Sequence, residues 1–259
     1  MSSAEYPPSV EYTGRPDPHL SPEVAAAYDA AHAHRFTAEE IEPAVGFLAE
    51  LTGDGAAVEF AVGTGRIALP LSEVVSPVHG IDFSEPMLAE LRRKDGAELL
   101  SLTVGDMTTT QVCTDASVVY LVFNTIQNLR TQQQQVDCFA NAAAHLRPGG
   151  RFVIETGVPK LHRLAPGERI RAFDVSPDHL GFDEYVDLVN QISISHHYYI
   201  EGDQVRIASP SFRYVWPSEL DLMAKLAGLT LEDRWADWEQ SPFTGDSPAH
   251  VSVWRKNPD

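Results

Sequence analysis

Glu59-Phe60-Ala61-Val62-Gly63-Thr64-Gly65-Arg66 joins a short apolar run over residues 57–62 to residues 67–74, which read as a helix. Two glycines at a strand-to-helix junction let the backbone come close to a bound ligand, because no Cβ stands in the way. A dinucleotide-binding turn of the G-x-G-x-x-G kind is the natural competitor. It would place glycine at 61, 63 and 66, where the chain has Ala61, Gly63 and Arg66. The pyrophosphate-binding turn is therefore incomplete. What stands here is an acid, a small residue and then G-x-G.

Downstream of this junction strand and helix alternate. Residues 78–81 read as a strand and 84–94 as a helix capped by Ser84. Residues 99–104 and 117–123 are two more strands, the second as apolar as a strand buried on both faces should be. A helix over 132–146 closes at Arg147-Pro148-Gly149-Gly150, a strong stop signal, and residues 152–155 make a fifth strand. This succession predicts a parallel sheet with helices on both faces. The pattern changes after Glu155. Residues 185–200 and 205–214 read as strands joined at Gly202-Asp203, with Pro210 placing the second at an edge or bulge. A helix over 218–227 stops at Gly228, and residues 229–238 and 250–254 are two final strands.

Upstream, Pro7, Pro8, Pro16 and Pro18 make the first twenty residues an irregular arm. Ser21-Pro22 starts a helix that carries Val24, Tyr28 and His32 at helical spacing. A second helix over 38–51 ends at Gly53. Four segments are expected: an arm and helical lid over 1–42, a ligand-binding core over 43–156, an antiparallel insert over 157–215, and a closing helix and strands over 216–259.

Composition narrows the partners. The 259 residues are 43% hydrophobic and 9% aromatic, which suits a globular enzyme rather than a disordered chain. No apolar run is long enough to span a membrane as a helix, and MSSAEYPPSV lacks the basic and apolar parts of a secretory signal. Cys113 and Cys138 have neither metal-ligand spacing nor the density of a disulfide scaffold, so a cytoplasmic protein is expected. A formal net charge of −18 argues against nucleic acid, whose binding needs a positive field. The same charge aids solubility and is compatible with a positively charged substrate.

The 59–66 segment resembles motif I of the class I S-adenosylmethionine-dependent methyltransferases, usually E/D-x-G-x-G-x-G, with Ala61 in place of the first glycine. The order of later marks strengthens the resemblance: Gly80-Ile81-Asp82-Phe83-Ser84, then Gly105-Asp106-Met107, then Val122-Phe123-Asn124, then His145-Leu146-Arg147-Pro148-Gly149-Gly150. It covers residues 55–156 strongly. The fold it implies is α/β and Rossmann-like, a doubly wound, mostly parallel seven-stranded sheet with an antiparallel insert and an N-terminal helical lid. It implies S-adenosyl-L-methionine as cofactor. Glu59, Ala61, Gly63 and Gly65 would form the loop beneath it, and Asp82 would meet the ribose hydroxyls. Phe83 and Met87 would line the adenine, with Gly105, Asp106 and Met107 beside it. Val122, Phe123 and Asn124 would face the methionine part, and Tyr28 would cover it.

Other branches of the family differ at the end of the fourth strand. Asn124-Thr125-Ile126-Gln127 is neither the D/N/S-P-P-aromatic of amino-methylating DNA enzymes nor the acidic ligand set of metal-dependent catechol enzymes, so no metal is expected. The insert and the Trp216-Pro217-Ser218-Glu219-Leu220 helix start are similar to small-molecule N- and O-methyltransferases, sugar amine enzymes among them. The expected reaction is an in-line methyl transfer to an amine or hydroxyl of a small-molecule acceptor, and a homodimer is compatible with it. A sulfonium sits well beside an aromatic face, which suits Tyr28, Phe36 or Phe123. His32 and His162 are the candidate bases, with His34 a third. His196 and His197 on one strand would point to opposite faces, and Arg15 or Arg66 could hold a carboxylate. A nicotinamide oxidoreductase and a non-catalytic nucleotide-binding protein are the competing functions.

Overall fold

A computed structural model of the chain describes residues 20–258. The proline-rich arm and Arg15 lie outside the described residues. Helix α1 spans Pro22–Ala31, its N-terminus capped by Ser21, whose hydroxyl accepts the Val24 N–H at 3.4 Å. Helix α2, Ala38–Thr52, stops at Gly53, where φ is +56°.

Seven strands form the main sheet: β1 (Ala57–Phe60), β2 (Val78–Asp82), β3 (Leu100–Val104), β4 (Ala116–Leu121), β5 (Leu146–Gly157), β11 (Leu229–Trp235) and β12 (Ala249–Lys256). Their spatial order is β11-β12-β5-β4-β1-β2-β3. β3, β2, β1, β4 and β5 run parallel, while β12 is antiparallel to both its neighbours. Helices α3 (Ala68–Ser72), α4 (Glu85–Leu91), α5 (Gln132–His145) and α6 (Pro217–Leu226) complete the core. The doubly wound sheet is as expected.

Successive residues of a strand face opposite sides, and β4 shows why it must be apolar throughout. Val119 and Leu121 pack with Phe139, Phe152 and Trp254 under α5 and α6. Val118 and Tyr120 pack with Leu48, Leu71 and Leu88 under α2, α3 and α4. Phe139 meets Phe152 and Trp254 edge to face at 5.0 and 5.3 Å, an arrangement that the ring quadrupoles favour.

A second, antiparallel sheet differs in detail from the sequence expectation. Residues 185–200 are not one strand: β7 (His179–Asp187) and β8 (Ile192–Glu201) are separated by a turn, and β6 (Ile170–Val175) precedes them. Leu188 and Val189 look strand-like in sequence but are 56% and 89% exposed at that turn. The Asp187 carboxylate accepts the N–H groups of Val189 and Asn190, both at 2.9 Å, and this local bonding outweighs the apolar pattern. The Gly202-Asp203 turn joins β8 to β9 (Gln204–Ala208), and Pro210 breaks the following stretch before β10 (Ser211–Arg213). The spatial order is β10-β8-β7-β6, with β9 also on β8.

A buried ionic cluster ties this sheet to the core. Arg213 of β10 is 2% exposed, and its guanidinium donates to Gln135 of α5, to Gln191 at 2.9 Å and to Glu219 of α6 at 2.7 Å. Gln191 in turn donates to the second Glu219 oxygen at 2.9 Å. Among the described residues, no helix is long and apolar enough to cross a membrane.

Candidate active site

The loop after β1 is built on left-handed backbone. Ala61, Gly63 and Gly65 have φ of +53°, +56° and +83°. A Cβ on Gly65 would fall 2.3 Å from Leu91 Cδ1, so glycine is needed there for packing. A Cβ on Gly63 would meet nothing within 4 Å, so the loop presents open space at that point. Asp82, at the end of β2, holds the loop in place. One carboxylate oxygen accepts the Gly63 N–H at 2.7 Å and the other the Ser84 N–H at 2.8 Å.

Glu59 faces into the core rather than into the loop. It is 2% exposed and accepts the hydroxyl of Tyr120, its register partner on β4, at 3.0 Å. Burial pushes its carboxyl up to about 8, so it is neutral at pH 7. Its side chain thus makes a core hydrogen bond behind the loop. Of the pair expected at the adenine, Phe83 is 45% exposed while Met87 is 3% exposed and turned inward. Asp106 is exposed, and its carboxylate accepts the Thr108 N–H and hydroxyl at 2.8 and 2.7 Å, a cap on its own turn. Gly105 donates its N–H to the Asp82 carbonyl at 2.8 Å, and the Met107 carbonyl accepts from Asn141 at 2.9 Å.

The end of β4 carries a second strained turn. Phe123 and Asn124 are both left-handed, with φ of +55° and +61°, a rare state for a bulky side chain. Four bonds hold it. The Glu155 carboxylate accepts the Phe123 N–H at 2.8 Å and the Glu155 carbonyl accepts the Asn124 N–H at 3.2 Å. The Asn124 amide oxygen accepts the Gly157 N–H at 2.6 Å and the Thr156 hydroxyl at 3.2 Å. Val122 is buried, and its carbonyl accepts the Thr125 hydroxyl at 2.7 Å.

Helix α1 docks on both turns. The Tyr28 and His32 rings lie 4.4 Å apart, and His32 meets Phe123 edge-on at 6.2 Å. His32 Nδ1 pairs with the Tyr28 carbonyl at 2.9 Å. The guanidinium carbons of Arg35 and Arg66 stand 5.1 and 5.6 Å from the Phe123 ring centre, so this ring already draws positive charge. Phe36 instead meets Lys94, at 5.4 Å. Asp29, which the sequence did not single out, fastens the helix: it accepts the Thr64 hydroxyl at 2.6 Å and pairs with Lys94.

Between the strand ends and the antiparallel sheet lies a cavity of about 440 Å³. Phe123, Asn124, Gln127 and Glu155 line it from the core, Arg35 from the lid side, and Asp183, Tyr185, Ser193, Ser195 and Tyr214 from the antiparallel sheet. Ser195 donates to Asp183 at 3.0 Å, and burial raises the Asp183 carboxyl against the pull of Lys160, Arg171 and His196. Burial likewise raises Tyr185, and Tyr214 to about 12. Periodicity announces these strands but not their register, so sequence alone could not bring the five residues together. His162 is not among the lining residues; it is exposed on a short turn, Leu161–Arg163, and His34 is exposed as well. His196 and His197 do point oppositely: His196 bonds Glu184 and Ser209, while His197 bonds His179. Among the described residues, no group of three or more His, Cys, Asp or Glu is placed to hold a metal ion.

The chain's likeness to known proteins agrees with this layout. Residues 57–150 match a methyltransferase domain family. The structure is similar to that of the CcbJ methyltransferase from Streptomyces caelestis, with 32% identity and a TM-score of 0.75 over 98% of this chain and 94% of the other. It also shares its fold with SAM-bound CalS10, an amino pentose methyltransferase from Micromonospora echinaspora, at 19% identity and a TM-score of 0.69, covering 89% and 97% of the two chains. In sequence the chain is 24% identical over 233 residues to a cypemycin N-terminal methyltransferase from a Streptomyces species, covering 86% of this chain and 94% of that one.

Proposed function

Because the chain belongs to the class I S-adenosylmethionine-dependent methyltransferases, we propose that it methylates an amine of a small, polar, sugar-like or natural-product acceptor held in the cavity beside Phe123. The cofactor is S-adenosylmethionine, which when bound supplies an electrophilic methyl on a sulfonium.

The residues present suit that group. Gly63 leaves space where the ligand approaches the backbone, and Asp82 brings a carboxylate, the acceptor type that ribose hydroxyls need, to the end of β2 while clamping the loop. Phe83 offers an exposed ring for stacking beside Asp82. Phe123, already approached by two guanidinium groups, suits a sulfonium neighbour. Helix α1 acts as the lid, with Tyr28 and His32 over the methionine end. The Glu59 carboxyl works at one remove, supporting β1 under the loop.

The observation that carries the acceptor reading is the cavity itself. Its volume suits a ligand about as large as a sugar, and its antiparallel wall offers hydroxyls and one carboxyl beside the Phe212 ring. Asp183 and the protein's overall negative charge favour an acceptor that arrives as a cation. Two of the similar proteins are named as an amino pentose methyltransferase and a cypemycin N-terminal methyltransferase, and both names are compatible with an amine acceptor. Alignment of acceptor and donor supplies most of the rate, and the chain's part is to hold the lone pair in line and exclude water. A panel of amino sugars, short peptides and their hydroxyl counterparts, incubated with 13C-methyl donor, tests this. An N-methyl product is expected; labelled O-methyl product alone would overturn the amine assignment.

A further inference from the structure

Asp174, His179 and His197 form a hydrogen-bonded row across β6, β7 and β8. The Asp174 carboxylate accepts from His179 Nδ1 at 2.6 Å, and His179 Nε2 lies 3.1 Å from His197 Nδ1. A carboxylate only accepts, so it fixes the His179 proton on Nδ1. His179 Nε2 is then an acceptor, and His197 must donate from Nδ1. The lone pair left over in this row is on His197 Nε2.

His197 is not itself among the cavity's lining residues, but the strand register places it one step beyond two that are. Ser193 and Ser195 line the cavity, and His197 is the next residue on the same face of β8, roughly 7 Å further along. Across the pair, Asp183 faces Ser195 and Gly181 faces His197. Gly181 puts no side chain between them, and a Cβ there would fall 2.2 Å from the Phe173 ring, which itself packs 5.3 Å from His197. From the lid side, His32 comes near enough to act electrostatically on His197 while its ring meets Phe123.

We propose that His197, oriented by His179 and Asp174, takes the proton from the acceptor's ammonium group and relays it to solvent. This rests on the amine reading above. The ammonium N–H bond breaks toward His197 Nε2. The Nδ1 proton of His197 moves to His179 Nε2, and that of His179 moves to Asp174, whose side chain is 43% exposed, and on to water. The freed nitrogen lone pair forms the new N–C bond as the donor's C–S bond breaks and sulfur keeps the electrons. The charges around His197 suit the task. Burial lowers its pKa, and His179, His32 and His196 lower it further, so the ring is neutral at pH 7. The other facing groups are Asp174 on β6, Asp183 on β7, Tyr199 on β8, and Arg206 on β9, which lies 4.0 Å over the Tyr199 ring. An alternative role, cross-linking three strands, would use the same hydrogen bonds and the same tautomer but would leave the pH profile of turnover unmoved.

Two measurements decide it. In 15N-histidine NMR of the ligand-free wild type, His197 should carry its proton on Nδ1 and titrate below the ordinary histidine range. With the most active amino sugar of the panel, His197→Gln should lower kcat/KM at pH 7 about 100-fold. It should also remove the acid limb of the pH profile and leave donor affinity unchanged. His179→Gln should blur the His197 tautomer and shift the same limb. An Nε2-protonated His197, or an acid limb retained in His197→Gln, overturns the relay. Should hydroxyl acceptors alone be methylated, the amine reading falls, and the acid limb measured with that acceptor still decides the role of His197.

Discussion

The Glu155 carboxylate accepts the backbone N–H of Phe123 at 2.8 Å, and so holds open a turn in which two successive side chains sit at positive φ. A left-handed residue other than glycine costs about 1–2 kcal/mol, so this pair would relax if its bonds were removed. Glu155→Ala should destabilise the protein by about 1–3 kcal/mol, and Glu155→Gln, which keeps an acceptor, by less. Turnover should fall further than thermal stability in both if, as proposed, Phe123 and Asn124 face the reacting groups. Equal stability of the two variants in thermal unfolding would refute the role of this bond.

Ala61 stands at φ +53° where the family carries glycine. Ala61→Gly releases about 1–2 kcal/mol of backbone strain and adds about 0.4–1 kcal/mol of unfolded-chain freedom. The balance predicts a melting temperature about 1–4 °C higher, with cofactor affinity within about twofold of wild type. Calorimetry on both proteins checks the sign.

Glu59 ties stability to pH. Its pKa is about 8 in the folded protein against 4.5 in the unfolded chain. The folded state therefore keeps a proton that the unfolded state has lost, and this group's contribution is full below pH 4.5 and disappears as pH rises through about 8. Glu59→Gln keeps a polar partner for Tyr120 without the titration. It should unfold at nearly the wild-type temperature at pH 4.5 and above it at pH 8, by roughly a few kcal/mol in free energy. Parallel unfolding curves for the two proteins across that range would disprove a raised Glu59.

Asp82 holds the loop and, in the proposed site, also meets the ribose. Asp82→Ala should weaken S-adenosylmethionine binding by about 1–3 kcal/mol in titration calorimetry, and should also loosen Gly63 and lower the melting temperature. Unchanged affinity in a folded variant would remove Asp82 from the cofactor site.

Asp29 links α1 to Thr64 and Lys94. Its bonds are partly exposed, so Asp29→Ala should cost no more than about 1 kcal/mol of stability. Cofactor affinity should drop several-fold, because the variant unpins the lid from the loop. A Kd equal to that of the wild type would mean that α1 rests on the core without closing anything.

Much of this layout is legible in the residues because the decisive signals are local. The Gly63-Thr64-Gly65 junction, the apolar β4 and the Ser21 and Ser84 caps depend on neighbours a few positions away. The burial of Glu59 was not legible: motif spacing fixes where the strand ends but not which way its last side chains turn, and its partner Tyr120 lies 61 positions later. The turn at Leu188-Val189 was hidden by two apolar residues that the fold leaves exposed. The acceptor wall was out of reach altogether. Asp183, Ser195 and His197 meet through strand pairing, and a register shifted by one residue would have sent all three to the opposite face.

The Arg213 cluster bears on traffic through the enzyme. Its guanidinium is locked to two helices of the core, and a charged group so deeply covered gives up those partners only at a cost of several kcal/mol. The antiparallel sheet is thereby tied firmly to the core, whereas α1 is fastened to the loop by the partly exposed contacts of Asp29. If α1 is the part that opens, cofactor and acceptor would share one doorway, and product-inhibition kinetics should show an order: donor first, acceptor second, and the methylated product out before the spent donor.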